Sequence, residues 1–161
     1  MTENRKRFIR SISRILYLID TDKENISKII AGLTDLIYIV VVGMDAESIR
    51  RELGVSNKSN ARKYLDKDTQ NLIDTLEGLI AKDMLAAYHG KIKKAGDMLY
   101  LFIQSLINHA NNYYIKNNIL TDIRDPIEFY KVTNKYAHER HWKHVQELYE
   151  LFKKIKKYEL M

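Results

Sequence analysis

The sequence predicts an all-α protein, a single-domain bundle of five or six helices in which sequential neighbours are mostly antiparallel. Apolar residues recur at three- and four-residue steps along most of the chain, which is the period of an amphipathic helix. One proline and six glycines are too few for a turn-rich β architecture. A chain of 161 residues buries a core without disulfides or metals, so we expect one domain, residues 1–161.

Composition restricts the functions that are open to this chain. It contains no cysteine, which excludes disulfides, thiol catalysis and cysteine-based zinc sites. The net charge of +6 favours an anionic partner. Arg10 and Arg14 interrupt any signal-like apolar segment, and the apolar run at 36–42 is too short to cross a bilayer. We expect a cytoplasmic protein without membrane contact, cofactor or metal.

The first predicted helix, 4–19, carries a cluster of cations outside its apolar stripe. Cations at a helix N-terminus oppose the helix dipole, so helix stability does not explain their position. Contact with a nucleic-acid backbone and a solvated, soluble face are both compatible with the cluster. Its members are Arg5, Lys6, Arg7, Arg10 and Arg14.

Two helices are predicted next. The capping box at 21–24 begins a helix that continues to Gly43. Asp45 then caps a short helix, 46–53, that Gly54 closes.

The segment AESIRRELGVS is similar to the first helix and turn of a helix-turn-helix. In the usual register, however, Asn60 and Lys63 fall where a recognition helix needs apolar residues. The alternative is a pair of ordinary helices joined by the polar loop 56–60. In either arrangement Lys58, Arg62 and Lys63 are candidates for phosphate contact.

A fourth helix is predicted at 61–87, with Gly78 inside it at a close helix contact or a kink. The link that follows presents Lys91, Lys93 and Lys94 together, a candidate contact to a nucleic-acid backbone. The fifth helix, 97–116, becomes polar and aromatic around His109.

The last predicted helix, 125–158, begins at an Asp-Pro pair that is typical of a helix start. Its apolar stripe is interrupted by Asn134, His141 and His144, and His138 lies at the edge of that stripe. These groups either form a site with histidine as an acid or base, or are satisfied by tyrosines or a subunit interface. No suitably placed ligand completes a tetrahedral metal site.

The run NKYAHERHW, residues 134–142, resembles the motif of HEPN ribonucleases of the abortive-infection type. The resemblance covers this run alone. It implies a helical bundle, commonly dimeric, that cleaves RNA without a metal, with His138 as the acid–base residue and Asn134 as its orienter. Thr133 stands where the motif has an arginine, so the cation expected to stabilise the transition state is missing.

Three functions follow as expectations. The first is a non-catalytic basic helical protein that binds RNA or DNA, as a regulator or a small subunit of a ribonucleoprotein or defence complex. The second is a HEPN-like ribonuclease or its inactive relative. The third is a protein-binding bundle, including a homodimer or larger assembly, that has no nucleic-acid contact. Steep salt dependence of binding marks the first, and loss of RNA cleavage in His138→Ala marks the second.

Overall fold

The computed structural model of the protein describes residues 1–18, 23–42, 44–88 and 95–116. These residues form five α-helices and one 3-10 helix and contain no β-strand, which confirms the all-α prediction for the described part of the chain. The predicted last helix, 125–158, lies outside the described residues. In chain order the elements are α1 (Glu3–Leu18), α2 (Lys23–Val42), α3 (Ala46–Leu53), the 3-10 helix (Ala61–Tyr64), α4 (Lys67–Tyr88) and α5 (Ala95–Lys116).

Helix α4 packs against α1, α2 and α5. Helices α4 and α5 are antiparallel, since Asp83 contacts His109 near the end of α5 and Ala87 shares a pocket with Leu101 nearer its start. Helices α1 and α4 run in the same direction instead. Asn4 contacts Asp74, whereas Arg14 lines a groove together with Leu85.

The core is mainly aliphatic and lies between these helices. Phe8 of α1 meets Phe102 of α5 in an edge-to-face contact with ring centroids 6.0 Å apart. Helix α1 buries the stripe that its periodicity predicts, because residues three and four apart share a face. The large, fully buried side chains include Phe8, Ile12, Ile15, Leu16, Ile29, Leu33, Leu36, Ile37, Ile39, Ile73, Ile80, Met84, Met98 and Phe102.

Helix α2 is more apolar over its whole length than the run at 36–42 indicates. The stretch Glu24–Val42 is long and apolar enough to cross a membrane, as judged by length and composition alone. The core helix of a helical domain has the same properties. Five fully buried side chains of α2, from Ile29 to Ile39, belong to the core described above.

The segment between α3 and α4 differs from both sequence-based interpretations. Asp45 caps α3 by accepting from Ser48 N–H at 2.8 Å, and Gly54 closes it with a left-handed φ of 66°, as predicted. The chain then forms the 3-10 helix, Ala61–Tyr64, which has only four residues and is too short for a recognition helix. Helix α4 begins at Lys67, because Leu65 is extended and Asp66 accepts from Thr69 N–H at 3.1 Å.

Candidate nucleic-acid interface

The candidate interface begins with a row of arginines on α1. Arg7, Arg10 and Arg14 are exposed and follow one another at steps of three and four residues, so they share a face of the helix. At a rise of about 1.5 Å per residue, the row is roughly 10 Å long. The neighbouring face of α1 is buried in the core, which holds the row in a fixed orientation relative to the bundle.

These three arginines line one wall of a groove whose other wall is α4. Gly78, Ala81 and Leu85 lie along the α4 side, and the exposed Lys82 adds a fourth cation. The groove has a volume of about 420 Å³. It therefore combines four positive charges with a small-residue and apolar surface, and we call it the basic groove.

The charges of the basic groove are not neutralised within the described part of the chain. The ion pairs formed by residues 1–18, 23–42, 44–88 and 95–116 include none of its four cations. Among the other surface cations, Lys6, Lys28 and Arg51 each reach a glutamate three or four residues away at 3.0–3.4 Å, whereas Lys58 and Lys67 are exposed and form no ion pair with a described residue. The basic groove differs from the rest of the surface because four cations without an ion-pair partner among the described residues lie together there.

A close contact at Gly78 brings α1 and α4 together at the end of the basic groove. A Cβ atom built on Gly78 would lie 2.7 Å from Cγ and Oδ1 of Asn4. The Asn4 amide is itself held, since it donates to Asp74 Oδ2 at 3.1 Å. Of the two predicted roles for Gly78, the structure shows the close helix contact.

Two predicted phosphate-contacting arginines occupy a different place from the basic groove. Arg5 and Arg62 both pair with Glu77, whose side chain has 0 % exposure. Arg62 Nη1 donates to Glu77 Oε1 at 2.6 Å, and Arg5 Nη1 donates to Glu77 Oε2. Hydroxyl groups complete the cluster: Arg5 Nη1 donates to Thr34 Oγ1 at 2.9 Å, and Arg62 Nε donates to Tyr38 Oη at 3.2 Å.

This cluster joins four segments of the chain, namely α1, α2, α4 and the 3-10 helix. Burial by itself would lower the pKa of Arg62, but the hydrogen bond and the negative charge of Glu77 outweigh it and raise the pKa. Both guanidinium groups also lie over aromatic rings. Cζ of Arg5 is 5.4 Å from the ring centroid of Phe8, and Cζ of Arg62 is 5.6 Å from the ring centroid of Tyr38. The two arginines therefore have a structural role in addition to any contact with a ligand.

The remaining predicted cations are dispersed. Lys58 is exposed in the loop before the 3-10 helix, and Lys63 lies 5.0 Å from the ring centroid of Tyr64. Neither lines the basic groove. Lys91, Lys93 and Lys94 lie outside the described residues, as do Asn134 and His138 of the HEPN-like run.

A second polar cluster joins α4 to α5. Ser105 donates to Asp83 Oδ2 at 2.8 Å, and His109 Nε2 lies 2.7 Å from the same oxygen. Serine, histidine and aspartate here do not have the arrangement of a catalytic triad, because Ser105 bonds to the aspartate and not to the histidine. Within the described ranges there is also no group of three residues that could hold a metal ion.

Two features of this site were not predicted from the sequence. Lys82 joins the arginines only because α1 lies beside α4. Glu77 carries a signal that could have been noticed: it lies between Ile73 and Ile80 on the buried stripe of α4, where a charged residue requires a partner.

Comparisons with known proteins return no match: no family model, no curated protein and no solved structure is similar to this chain.

Proposed function

We propose that this protein binds nucleic acid through the sugar-phosphate backbone, using the basic groove between α1 and α4. The observation that carries the proposal is the set of four cations on one groove, three arginines in a row and Lys82 opposite them. None has an ion-pair partner among the described residues. Because a phosphate oxygen would supply that missing partner, the groove is suited to a polyanion.

The residue types support phosphate contact in particular. An arginine guanidinium matches the geometry of a phosphate with two parallel hydrogen bonds, whereas a lysine acts as a point charge. A row of about 10 Å spans more than one phosphate, since phosphates along one strand of a duplex recur at about 3.4 Å of axial rise. Contacts of this kind position a nucleic acid without reading its bases, so we expect binding with little sequence preference.

An exposed tyrosine next to the row favours a single strand. Tyr17 is 75 % exposed and follows Arg10 by seven residues, which places the two on the same side of α1 two turns apart. Aromatic side chains beside a cationic groove stack on unpaired bases, a contact that a closed duplex does not offer. We therefore expect single-stranded RNA or DNA to bind more tightly than duplex.

The test measures binding of the full chain to labelled single-stranded RNA, single-stranded DNA and duplex DNA by fluorescence anisotropy over a salt series. The test variant replaces Arg7, Arg10 and Arg14 by glutamine. We expect it to reduce the slope of log affinity against log salt by about 2, which corresponds to three lost phosphate contacts on a single strand.

The matched control replaces Lys6, Lys28 and Arg51 by glutamine. It removes the same three positive charges from exposed positions where each already has a glutamate partner. If overall charge alone attracted the nucleic acid, both triple variants would lose affinity equally. That result, or the absence of salt-sensitive binding by the unaltered protein, would contradict the proposal.

A further inference from the structure

A second cleft lies beside the Glu77 cluster, away from the basic groove. It has a volume of about 550 Å³ and is lined by Met1, Thr2, Arg5, Tyr38, Asn60 and Arg62. Such a volume falls within the range of small-molecule sites, about 300–1,000 Å³. None of these six lining residues is acidic, and two of them are arginines.

The cluster leaves one positive charge unbalanced at the wall of this cleft. Arg5 and Arg62 contribute two positive charges, and the single carboxylate of Glu77 cancels one of them. Asp74, one turn earlier on α4, accepts hydrogen bonds from Thr2 and Asn4 and does not line the cleft. The Arg5–Glu77–Arg62 cluster therefore has a net charge of +1, and its two guanidinium groups line the cleft in a partly buried position.

The polar groups that face the cleft are mainly donors. Tyr38 Oη accepts from Arg62 Nε, which leaves its own proton for another acceptor. Asn60 uses its Oδ1 to accept from Arg62 N–H at 3.1 Å, which leaves its NH₂ group available. Arg62 uses Nη1 for Glu77 and Nε for Tyr38, and its Nη2 takes part in neither contact. Donors that have no acceptor among the described residues, next to the positively charged Arg5–Glu77–Arg62 cluster, are suited to an anionic ligand.

Contacts within the protein position these donors before any ligand arrives. Tyr38 is 5 % exposed, and the carboxylate of Glu77 accepts a hydrogen bond from each of the two guanidinium groups. Asn60 caps the 3-10 helix, which fixes its amide in turn. A site that is already ordered loses less conformational entropy on binding than flexible surface lysines would.

From this geometry we propose that the cleft between Arg5, Tyr38, Asn60 and Arg62 is a binding site for a small oxyanion, the phosphate or carboxylate group of a small molecule. Arg62 and Arg5 supply the charge, and the Tyr38 hydroxyl and Asn60 amide donate hydrogen bonds to the oxygens. The site is separate from the basic groove and its ligand is a small molecule, not a polymer.

Calorimetric titration of the full chain tests the proposal, with inorganic phosphate, glycerol 3-phosphate and succinate as probes in a buffer free of other oxyanions. Tighter binding of inorganic phosphate or glycerol 3-phosphate than of succinate would indicate a phosphate ligand, and the reverse order would indicate a carboxylate ligand. We expect saturable binding of at least one probe. The test variant is Asn60→Asp, which keeps the oxygen that caps the 3-10 helix but replaces the amide donor by a negative charge. It should weaken binding tenfold or more.

The matched control is Ser56→Asp, in the same loop. Ser56 is exposed, accepts from Lys58 N–H at 3.2 Å and does not line the cleft. The Ser56→Asp variant adds one negative charge, as Asn60→Asp does, and should leave the affinity for the probe unchanged. The Arg7, Arg10 and Arg14 triple variant should also bind the probe normally, which separates this site from the basic groove. Equal weakening by Asn60→Asp and Ser56→Asp, or no saturable binding of any of the three probes, would overturn the proposal.

Discussion

Arg62 and Glu77 connect the 3-10 helix to the middle of α4 through a hydrogen-bonded ion pair, with Nη1 of Arg62 2.6 Å from Oε1 of Glu77. The carboxylate has no exposed surface, and Arg5 of α1 occupies its second oxygen. One buried acidic residue thus joins three segments of the chain. It also holds the guanidinium groups of Arg5 and Arg62 at the wall of the second cleft.

The first prediction concerns Glu77→Gln. Removing the carboxylate leaves two guanidinium groups close together without a compensating charge. Loss of one partner of a buried ion pair destabilises a protein by about 3–5 kcal/mol. We expect a decrease of that size in the free energy of unfolding, measured by urea denaturation.

Glu47→Gln is the control for this variant. Glu47 pairs with Arg51 at 3.0 Å, but both side chains are more than 70 % exposed, and an exposed helical pair contributes only about 0.3–0.5 kcal/mol. If the two glutamine variants were equally stable, Glu77 would not hold the structural role that its burial indicates.

The second prediction concerns the contact between Gly78 and Asn4. Alanine in place of a glycine inside a helix gains about 1 kcal/mol from helix propensity. In Gly78→Ala the new Cβ would displace the Asn4 amide from its hydrogen bond to the Asp74 carboxylate, a loss of about 1.5–3 kcal/mol because the acceptor is charged. The loss exceeds the gain, so we expect the free energy of unfolding of the single variant to decrease by about 0.5–2 kcal/mol.

A double-mutant cycle with Asn4→Ala isolates the contact. Without the asparagine side chain the alanine at position 78 meets no obstacle from it, and Gly78→Ala should then stabilise the protein by about 1 kcal/mol. Thermal and urea unfolding of the four proteins measure this coupling. Additive effects of the two substitutions would show that α1 and α4 do not approach closely at this point.

The third prediction concerns strand preference. If Tyr17 stacks on an unpaired base, Tyr17→Ala should reduce affinity for single-stranded RNA or DNA by about 1–3 kcal/mol and leave the weaker duplex affinity nearly unchanged. Tyr17→Phe keeps the aromatic ring and should bind as the unaltered protein does. Displacement of a labelled single strand from the protein by unlabelled single strands or by unlabelled duplex measures the two affinities of each variant. An equal loss on single strands and duplex would mean that Tyr17 acts through the fold.

The difference between sequence and structure is clearest at the cations of α1. Periodicity alone separates Phe8, Ile12 and Ile15 from Arg7, Arg10 and Arg14, because the face of a helical residue depends only on its spacing. The same spacing separates Arg5 from Arg7, because Arg5 precedes Phe8 by three residues and Ile12 by seven and so lies on the apolar side of α1. Periodicity does not reveal the partner of Arg5, since Glu77 is distant in the chain.

The helix boundaries also differ in how well the sequence predicts them. The caps of α3 were predicted because Asp45 and Gly54 act on backbone groups within a few residues of themselves. The start of α4 was placed too early, at 61 instead of Lys67. Residues 61–64 do form a helical turn, but the extended Leu65 interrupts it, and α4 begins after Asp66, whose type is a helix-start signal in the sequence.

The sequence by itself therefore determined the helical class, the buried stripe of α1, the caps of α3 and the exposed row of Arg7, Arg10 and Arg14, since each depends on residues near one another in the chain. Only the tertiary structure decided that α1 lies parallel to α4, that Lys82 faces the arginine row, and that Arg5 and Arg62 meet at Glu77. These relationships depend on how helices pack, and packing is set by the combined burial of side chains from distant segments, which local periodicity does not encode.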